Sequence, residues 1–278
     1  MRDPRLLACN GRVAALDLKG KVQAEKFVEG WPQQVAGGLG NLCSAPAGML
    51  QRQLYPGEQV TVYDEHAGWS FVKARAHGYV GYIQSQKLRP PNKAPSTYYI
   101  SVPISHSYGQ SDMKSGATAL LVMGSQLQNL QEENGFIKSQ FGWVPKQHIQ
   151  ALTDPPSDPV AVAEQLLGVP YLWGGDSALG IDCSGLVRLS HMLRAHNCPA
   201  DSDLQQRALG AVLPSDAPLR RGDLVFWKGH VALMISEETL IHANAHRMSV
   251  TYEALSEAIS RIALAGEGDV VLKRRLLL

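Results

Sequence analysis

The stretch Gly168-Val169-Pro170-Tyr171-Leu172-Trp173-Gly174-Gly175, followed shortly by Gly180-Ile181-Asp182-Cys183-Ser184-Gly185-Leu186-Val187, decides how this chain is read. Asp182 suits the N-cap of a helix whose apolar residues Leu186, Val187 and Leu193 come next, and that places Cys183 in the first turn. Unpaired N–H groups and the helix dipole favour an anion there, so such a position suits a reactive thiolate. A cysteine taken alone is more often a small buried hydrophobe. The cap and the flanking glycines turn the reading towards a nucleophile.

A cysteine nucleophile needs a base within reach, and a third group must hold that base in the right tautomer. His230 opens the strand-like run His230-Val231-Ala232-Leu233-Met234-Ile235, directly after Arg221-Gly222-Asp223-Leu224-Val225-Phe226-Trp227-Lys228-Gly229. His242 lies in the next run, Leu240-Ile241-His242-Ala243, and a hairpin would bring the two rings together. His246, four residues on, would face the same side of a continuing strand and is the rival for the third position. A metal site of His230, His242 and His246 is disfavoured because no carboxylate ligand motif accompanies them, and neither metal nor cofactor is expected. His66, His77, His106, His148, His191 and His196 have no motif around them and read as surface or capping residues.

Residues 160–167 predict a helix, with Val160, Ala163 and Leu167 sharing one face. Strand-like runs at 223–227, 230–235 and 239–243 follow the helix at Cys183, so the C-terminal half is α+β, a helical layer ahead of an antiparallel sheet. The first half has another texture. Gly68-Trp69, Val72-Lys73 and Gly81-Tyr82-Ile83-Gln84 are echoed by Gly135-Phe136, Ile137-Lys138 and Gly142-Trp143-Val144-Pro145. Short apolar runs between glycine turns read as two small β-barrels, at residues 35–90 and 97–152. Pro90-Pro91-Asn92-Lys93-Ala94-Pro95 and Asp154-Pro155-Pro156-Ser157-Asp158-Pro159 break helix and ladder alike and read as linkers. Residues 1–34, with partial helical periodicity, are an N-terminal extension, and 158–278 form the third domain.

The 278 residues, 45% hydrophobic and 18% charged, suit a folded chain of two or three domains. A net charge of +1 without a dense Lys/Arg run argues against a nucleic-acid partner. Cys9, Cys43, Cys183 and Cys198 form no CxxC pair, which leaves neither zinc-ligand nor redox-pair spacing. Asp3, Arg5, Asn10, Arg12 and Asp17 interrupt the N-terminal segment, and no apolar run approaches a membrane span, so the expected location is cytoplasmic and no membrane partner is expected.

In the first half, the Gly-Tyr/Trp-Val steps and the run Leu54-Tyr55-Pro56-Gly57-Glu58-Gln59-Val60-Thr61-Val62 resemble the bacterial SH3 domain. In the second half, Tyr171-x-Trp173-Gly174-Gly175, Asp182-Cys183-Ser184-Gly185, Gly222-Asp223-Leu224-Val225-Phe226, Gly229-His230-Val231 and Ile241-His242-Ala243 resemble the NlpC/P60 cysteine peptidases in order and spacing. That resemblance implies an α+β papain-like catalytic domain behind two SH3-like barrels. It further implies Cys183 as nucleophile, His230 as general base, His242 as its orienting partner and Tyr171 near the oxyanion. The alternative for Tyr171 is a packed aromatic with a satisfied hydroxyl, and Trp173 is assigned to the core. Asp182 and Ser184 match positions that bind a substrate's free α-amino group in the recycling enzymes of the family, although simple helix capping explains Asp182 as well. Ser202, within Asp201-Ser202-Asp203 and Gln205, would line the specificity pocket, while Ala200 stands where relatives often carry Arg. Tyr82, with Tyr79 as second choice, would come from the first SH3 domain to close the cleft, with Glu58 or Glu65 as its acidic partner.

The whole pattern resembles the cytoplasmic γ-D-glutamyl-L-diamino acid endopeptidases of murein peptide recycling, which implies a tri- or tetrapeptide substrate with a free N-terminal L-Ala. An amidase or acyltransferase on the same Cys-His-His scaffold is one alternative. A non-catalytic wall-peptide binding module is another. The diamino acid accepted and the oligomeric state stay open.

Overall fold

The computed structural model describes residues 3–193 and 198–276, so His196 lies outside the described residues. The chain divides between Thr153 and Asp154 into two compact units.

In the N-terminal unit the echoed segments fall on equivalent hairpins. Gln59–His66 turns through Ala67 and Gly68, at φ 49° and 79°, into Trp69–Ala74. Gln131–Glu133 turns through Asn134 and Gly135, at φ 50° and 76°, into Phe136–Ser139. Two left-handed residues in succession make the tight turn whose twist suits an antiparallel hairpin, which is why a glycine precedes the aromatic residue in both copies. The first hairpin sits in a seven-stranded sheet that runs from Trp31–Val35 to Leu88–Arg89 and buries Val35, Leu42, Leu54, Val62 and Ile83. It begins at Trp31, ahead of the expected boundary at 35. The second hairpin belongs to a five-stranded sheet beside a three-stranded one, around Ile100, Leu121, Leu127, Ile137 and Val144.

The described part of the extension contains no α-helix. Gly11 and Gly20, at φ 88° and 78°, interrupt the helical periodicity, and the segment instead pairs Val13–Ala15 with Lys26–Val28 in parallel. Its apolar residues Ala8, Ala15 and Leu18 pack against Tyr63 and Val80.

The C-terminal unit starts with α1, Pro159–Glu164, whose N-cap Asp158 accepts the Val160 N–H at 2.9 Å. The helix stops at Glu164, so Val160 and Ala163 are joined inside by Leu166, while Leu167, expected on the same face, is 41% exposed. Then follow α2 (Cys183–Met192) and α3 (Ser202–Ala208). The strands are β1 (Ala211–Val212), β2 (Leu224–Trp227), β3 (His230–Met234), β4 (Thr239–Asn244), β5 (Ser249–Ala254) and β6 (Leu272–Arg275), with α4 (Leu255–Leu264) between the last two. They form one antiparallel sheet in the order β1-β6-β2-β3-β4-β5, against which α2 packs across β3 and β4. This is the α+β arrangement expected from the sequence.

Helix α2 is buried on every side from Cys183 to His191, so its polar groups need internal partners. The Arg188 guanidinium meets the Asp176 carboxylate at 3.0–3.2 Å, Ser190 Oγ donates to Leu186 O at 2.7 Å, and His191 Nδ1 lies 2.6 Å from Val187 O. His191 is therefore a core residue and not the surface or capping residue expected. The His77 side chain is likewise enclosed in its own unit, 3.9 Å from Glu58.

Candidate active site

The start of α2 is built by Asp182. Its Oδ1 accepts the Gly185 N–H at 2.7 Å and the Ser184 hydroxyl at 2.9 Å, while Oδ2 accepts the Gly174 N–H at 2.9 Å. Capping and the tie to the Gly174-Gly175 loop thus share one carboxylate, only 5% exposed. Gly185 is obligatory at this contact, since a Cβ would lie 2.3 Å from Gly175 O. The cap leaves Cys183 in the first turn, buried, with Sγ 4.0 Å from Gly229 O. Gly229 belongs to the β2–β3 turn that delivers His230.

Strands β3 and β4 are antiparallel neighbours, with Leu233 opposite Ile241, and this register sets His230 beside His242. His230 Nε2 and His242 Nδ1 are 2.9 Å apart, with ring centroids at 5.1 Å. His246 is exposed beyond the end of β4 at Asn244, where strand alternation no longer applies.

One member of this array was not visible in the sequence. His242 Nε2 lies 2.9 Å from Glu253 Oε2 on β5, an oblique approach that makes a close polar contact without an in-line hydrogen bond. Glu253 in turn accepts from Arg261 Nε and Nη2 on α4, both at 2.8 Å. The carboxylate favours a proton on His242 Nε2, which makes Nδ1 the acceptor for His230 Nε2–H and leaves His230 Nδ1 as the basic nitrogen. Arg261 holds the Glu253 carboxyl below the usual carboxylate range, so it stays charged.

Burial pushes the His230 ring down to about 3, helped by His242 and Arg261 and opposed by Glu253. Burial likewise takes His242 to about 4, with Glu253 opposing and Arg261 assisting. Both rings are therefore uncharged at neutral pH, as a proton-accepting base requires. An unfolded histidine titrates near about 6.5, so below that pH the unfolded chain binds protons that the folded chain refuses. Stability should hold above about pH 6.5 and fall towards pH 4, by up to about 1.4 kcal/mol per pH unit for each ring. Urea midpoints from pH 7 to 4 test this: His242→Asn should flatten the decline, and an unchanged slope would contradict it.

Glu253→Gln is expected to lower kcat on the order of 10–100-fold with little change in KM, as for other partners that orient a functional histidine. Because Glu253 raises and Arg261 lowers both histidine pKa values, the acid limb of the pH–rate profile should move to lower pH in this variant. A purely structural role for Glu253 would leave that limb in place.

Tyr171 is half-buried, held by its N–H to Met248 O at 2.8 Å, and lines a cavity of about 490 Å³ together with His230. Trp173 lines the same cavity and is 67% exposed, so it is not the core residue expected. Gly174 itself is buried, at φ 74° with its N–H tied to Asp182, and the chain leaves the surface only there, one residue after Trp173. Ser202, 8% exposed, opens α3, which Gln205 ties to the nucleophile's turn through Nε2 donating to Ser184 O at 2.8 Å. Ala200 is fully buried and offers no charge.

The SH3-domain candidates lie in the N-terminal unit. The Tyr82 hydroxyl accepts from Asn10 Nδ2 at 3.1 Å, and its ring centroid is 5.2 Å from that of Phe71. Tyr79 is 1% exposed against His77. Glu58 is buried, with Oε2 accepting the Tyr55 N–H at 3.0 Å, whereas Glu65 is exposed. All four cysteines are free, and among the described residues no His, Cys, Asp or Glu cluster could hold a metal ion. No helix among them is long and apolar enough to cross a membrane.

Residues 168–267 match the NlpC/P60 family, and residues 42–88 match the bacterial dipeptidyl-peptidase Sh3 domain. The chain is 28% identical over 235 residues to a gamma-D-glutamyl-L-lysine dipeptidyl-peptidase of Bacillus subtilis, covering 76% of this chain and 78% of that protein. It is 27% identical over 245 residues to the protein of the same name from Bacillus cereus, covering 73% and 70%. The crystal structure of an NlpC/P60 family protein from Bacillus cereus shares the fold at a TM-score of 0.77 and 21% identity, over 89% of this chain and all of that one. The chain thus carries an NlpC/P60 domain at residues 168–267, preceded by a bacterial SH3 domain at residues 42–88.

Proposed function

We propose that the chain is a cysteine peptidase acting on peptidoglycan-derived peptides, and that it cuts the γ-D-glutamyl to L-diamino acid bond of short murein peptides with a free N-terminal L-Ala. The observation that carries the reading is the 2.9 Å contact between His230 Nε2 and His242 Nδ1, beside a thiol at the first turn of a buried helix. In this reading His230 Nδ1 takes the Cys183 proton, and Sγ attacks the γ-carbonyl of D-Glu. The tetrahedral oxyanion forms near the helix start, where the Tyr171 hydroxyl is the added donor. Collapse of the intermediate returns the proton from His230 to the leaving amine, and water then hydrolyses the thioester by the same route.

The neighbouring pair Asp182 and Ser184 supports acceptance of an ammonium on the acyl side, because a carboxylate 5% exposed can offset the cost of burying one. Ser202 would contact the D-Glu residue. A role in cytoplasmic murein recycling belongs to the same proposal, since recycled peptides carry that free amine while wall-linked ones do not. The test is mass spectrometry of products from L-Ala-γ-D-Glu-meso-diaminopimelate, run beside intact sacculi. L-Ala-γ-D-Glu and free diaminopimelate are expected from the peptide, with the sacculi left largely intact. Release of other fragments would move the reading to the amidase alternative.

A further inference from the structure

The cavity of about 490 Å³ shares His230 and Tyr171 with the catalytic array, yet Asp182, Cys183, Ser184 and Ser202 do not line it. It therefore adjoins the base and the oxyanion donor, and not Asp182, Ser184 or Ser202, the residues proposed to hold the N-terminal dipeptide. The proton that His230 takes from Cys183 must be delivered to the departing nitrogen as the C–N bond breaks, so the residue that leaves must stand against His230.

The walls of the cavity carry opposite charge. The β2–β3 turn contributes Lys228, which has no ion-pair partner among the described residues. The end of α4 and the turn after it contribute Arg261 and Glu267. Glu253 meets the Arg261 charge through two 2.8 Å bonds and Glu267 also acts on it, so two carboxylates against one guanidinium leave that wall with a negative excess. His230 is uncharged at neutral pH. Between the two, the exposed Trp173 ring offers an apolar face.

We propose that this cavity seats the leaving residue as an L-amino acid bearing a free α-carboxylate, held by Lys228, and a distal ammonium, held by Glu267, with the intervening methylenes on Trp173. The inference rests on the hydrolytic reading above and deepens it: the peptide ends at its diamino acid, so a tripeptide is preferred to a tetrapeptide whose corresponding carboxyl is an amide.

Three peptides test it on the full chain: L-Ala-γ-D-Glu-L-Lys, its C-terminal amide, and the analogue with L-norleucine in place of L-Lys. The native enzyme should favour the free acid over the amide, and lysine over norleucine, each by about fivefold in kcat/KM, the scale of one partly solvated charge pair. Lys228→Ala should bring the acid-to-amide ratio to about one and leave the lysine-to-norleucine ratio, while Glu267→Gln should do the reverse. Cleavage of all three peptides at equal rates, or ratios that persist in the variants, overturns the assignment of the cavity and leaves the hydrolytic reading standing. If the native enzyme cuts none of the three at the γ-glutamyl bond, the hydrolytic reading falls and the cavity assignment falls with it.

Discussion

Cys183→Ala is expected to abolish turnover of L-Ala-γ-D-Glu-meso-diaminopimelate, by a factor on the order of 10⁴ or more, because the acyl group then has no atom to bond to. Ser replacements of the other three cysteines should keep the native rate, and the structure gives a reason for each. Cys9 lies partly exposed in the N-terminal unit. Burial pushes the Cys43 thiol up, which keeps it protonated and inert. Cys198 Sγ receives Gln205 Nε2 and approaches Pro199 O, both at 3.6 Å, weak contacts that a serine hydroxyl can also make. Release of dipeptide by Cys183→Ala at the native rate, followed by liquid chromatography, would remove Cys183 from the mechanism.

N-acetylation of the L-Ala should depress kcat/KM by two to three orders of magnitude, since leaving a buried ammonium site without its charge costs several kcal/mol, or about tenfold for each 1.4 kcal/mol. The structure sharpens how Asp182 is to be tested. Its carboxylate already accepts from Gly174, Ser184 and Gly185, so Asp182→Asn weakens the cap as well as any ammonium site. Cap loss lowers the rates on free and acetylated peptides together, whereas loss of ammonium recognition lowers only the first. The ratio of the two rates in Asp182→Asn therefore separates the roles, and comparable rates in the native enzyme would place the protein among enzymes that digest intact wall.

The elements that hold the thiol and the two imidazoles were legible in the sequence because each is encoded locally. Asp182 announces the cap of α2, and short continuous apolar runs fix β3 and β4 to within a residue or so of where they lie. The Glu253–Arg261 pair was not legible, since β5 and α4 are brought together only by tertiary packing and neither residue has a motif around it. Trp173 was misread for a related reason: an aromatic residue beside glycines looks like core, and only the path of the loop decides which way it faces. In the N-terminal extension the helical spacing is partial, and Gly11 and Gly20 at positive φ break it. Leu167 shows the limit of periodicity, because a helix that ends one turn early hands its inner position to Leu166.

The thiol stands on a helix while both imidazoles stand on the sheet behind it, so no single layer of the fold contains a working site. Alignment of Sγ with the His230 ring is a property of how tightly α2 is docked, held by Gln205 across to α3 and by Gly185 pressed on Gly175. Activity in this architecture reports on the seam between two layers. On warming it should fade before the sheet melts, and during refolding it should return last, after the strands have already formed.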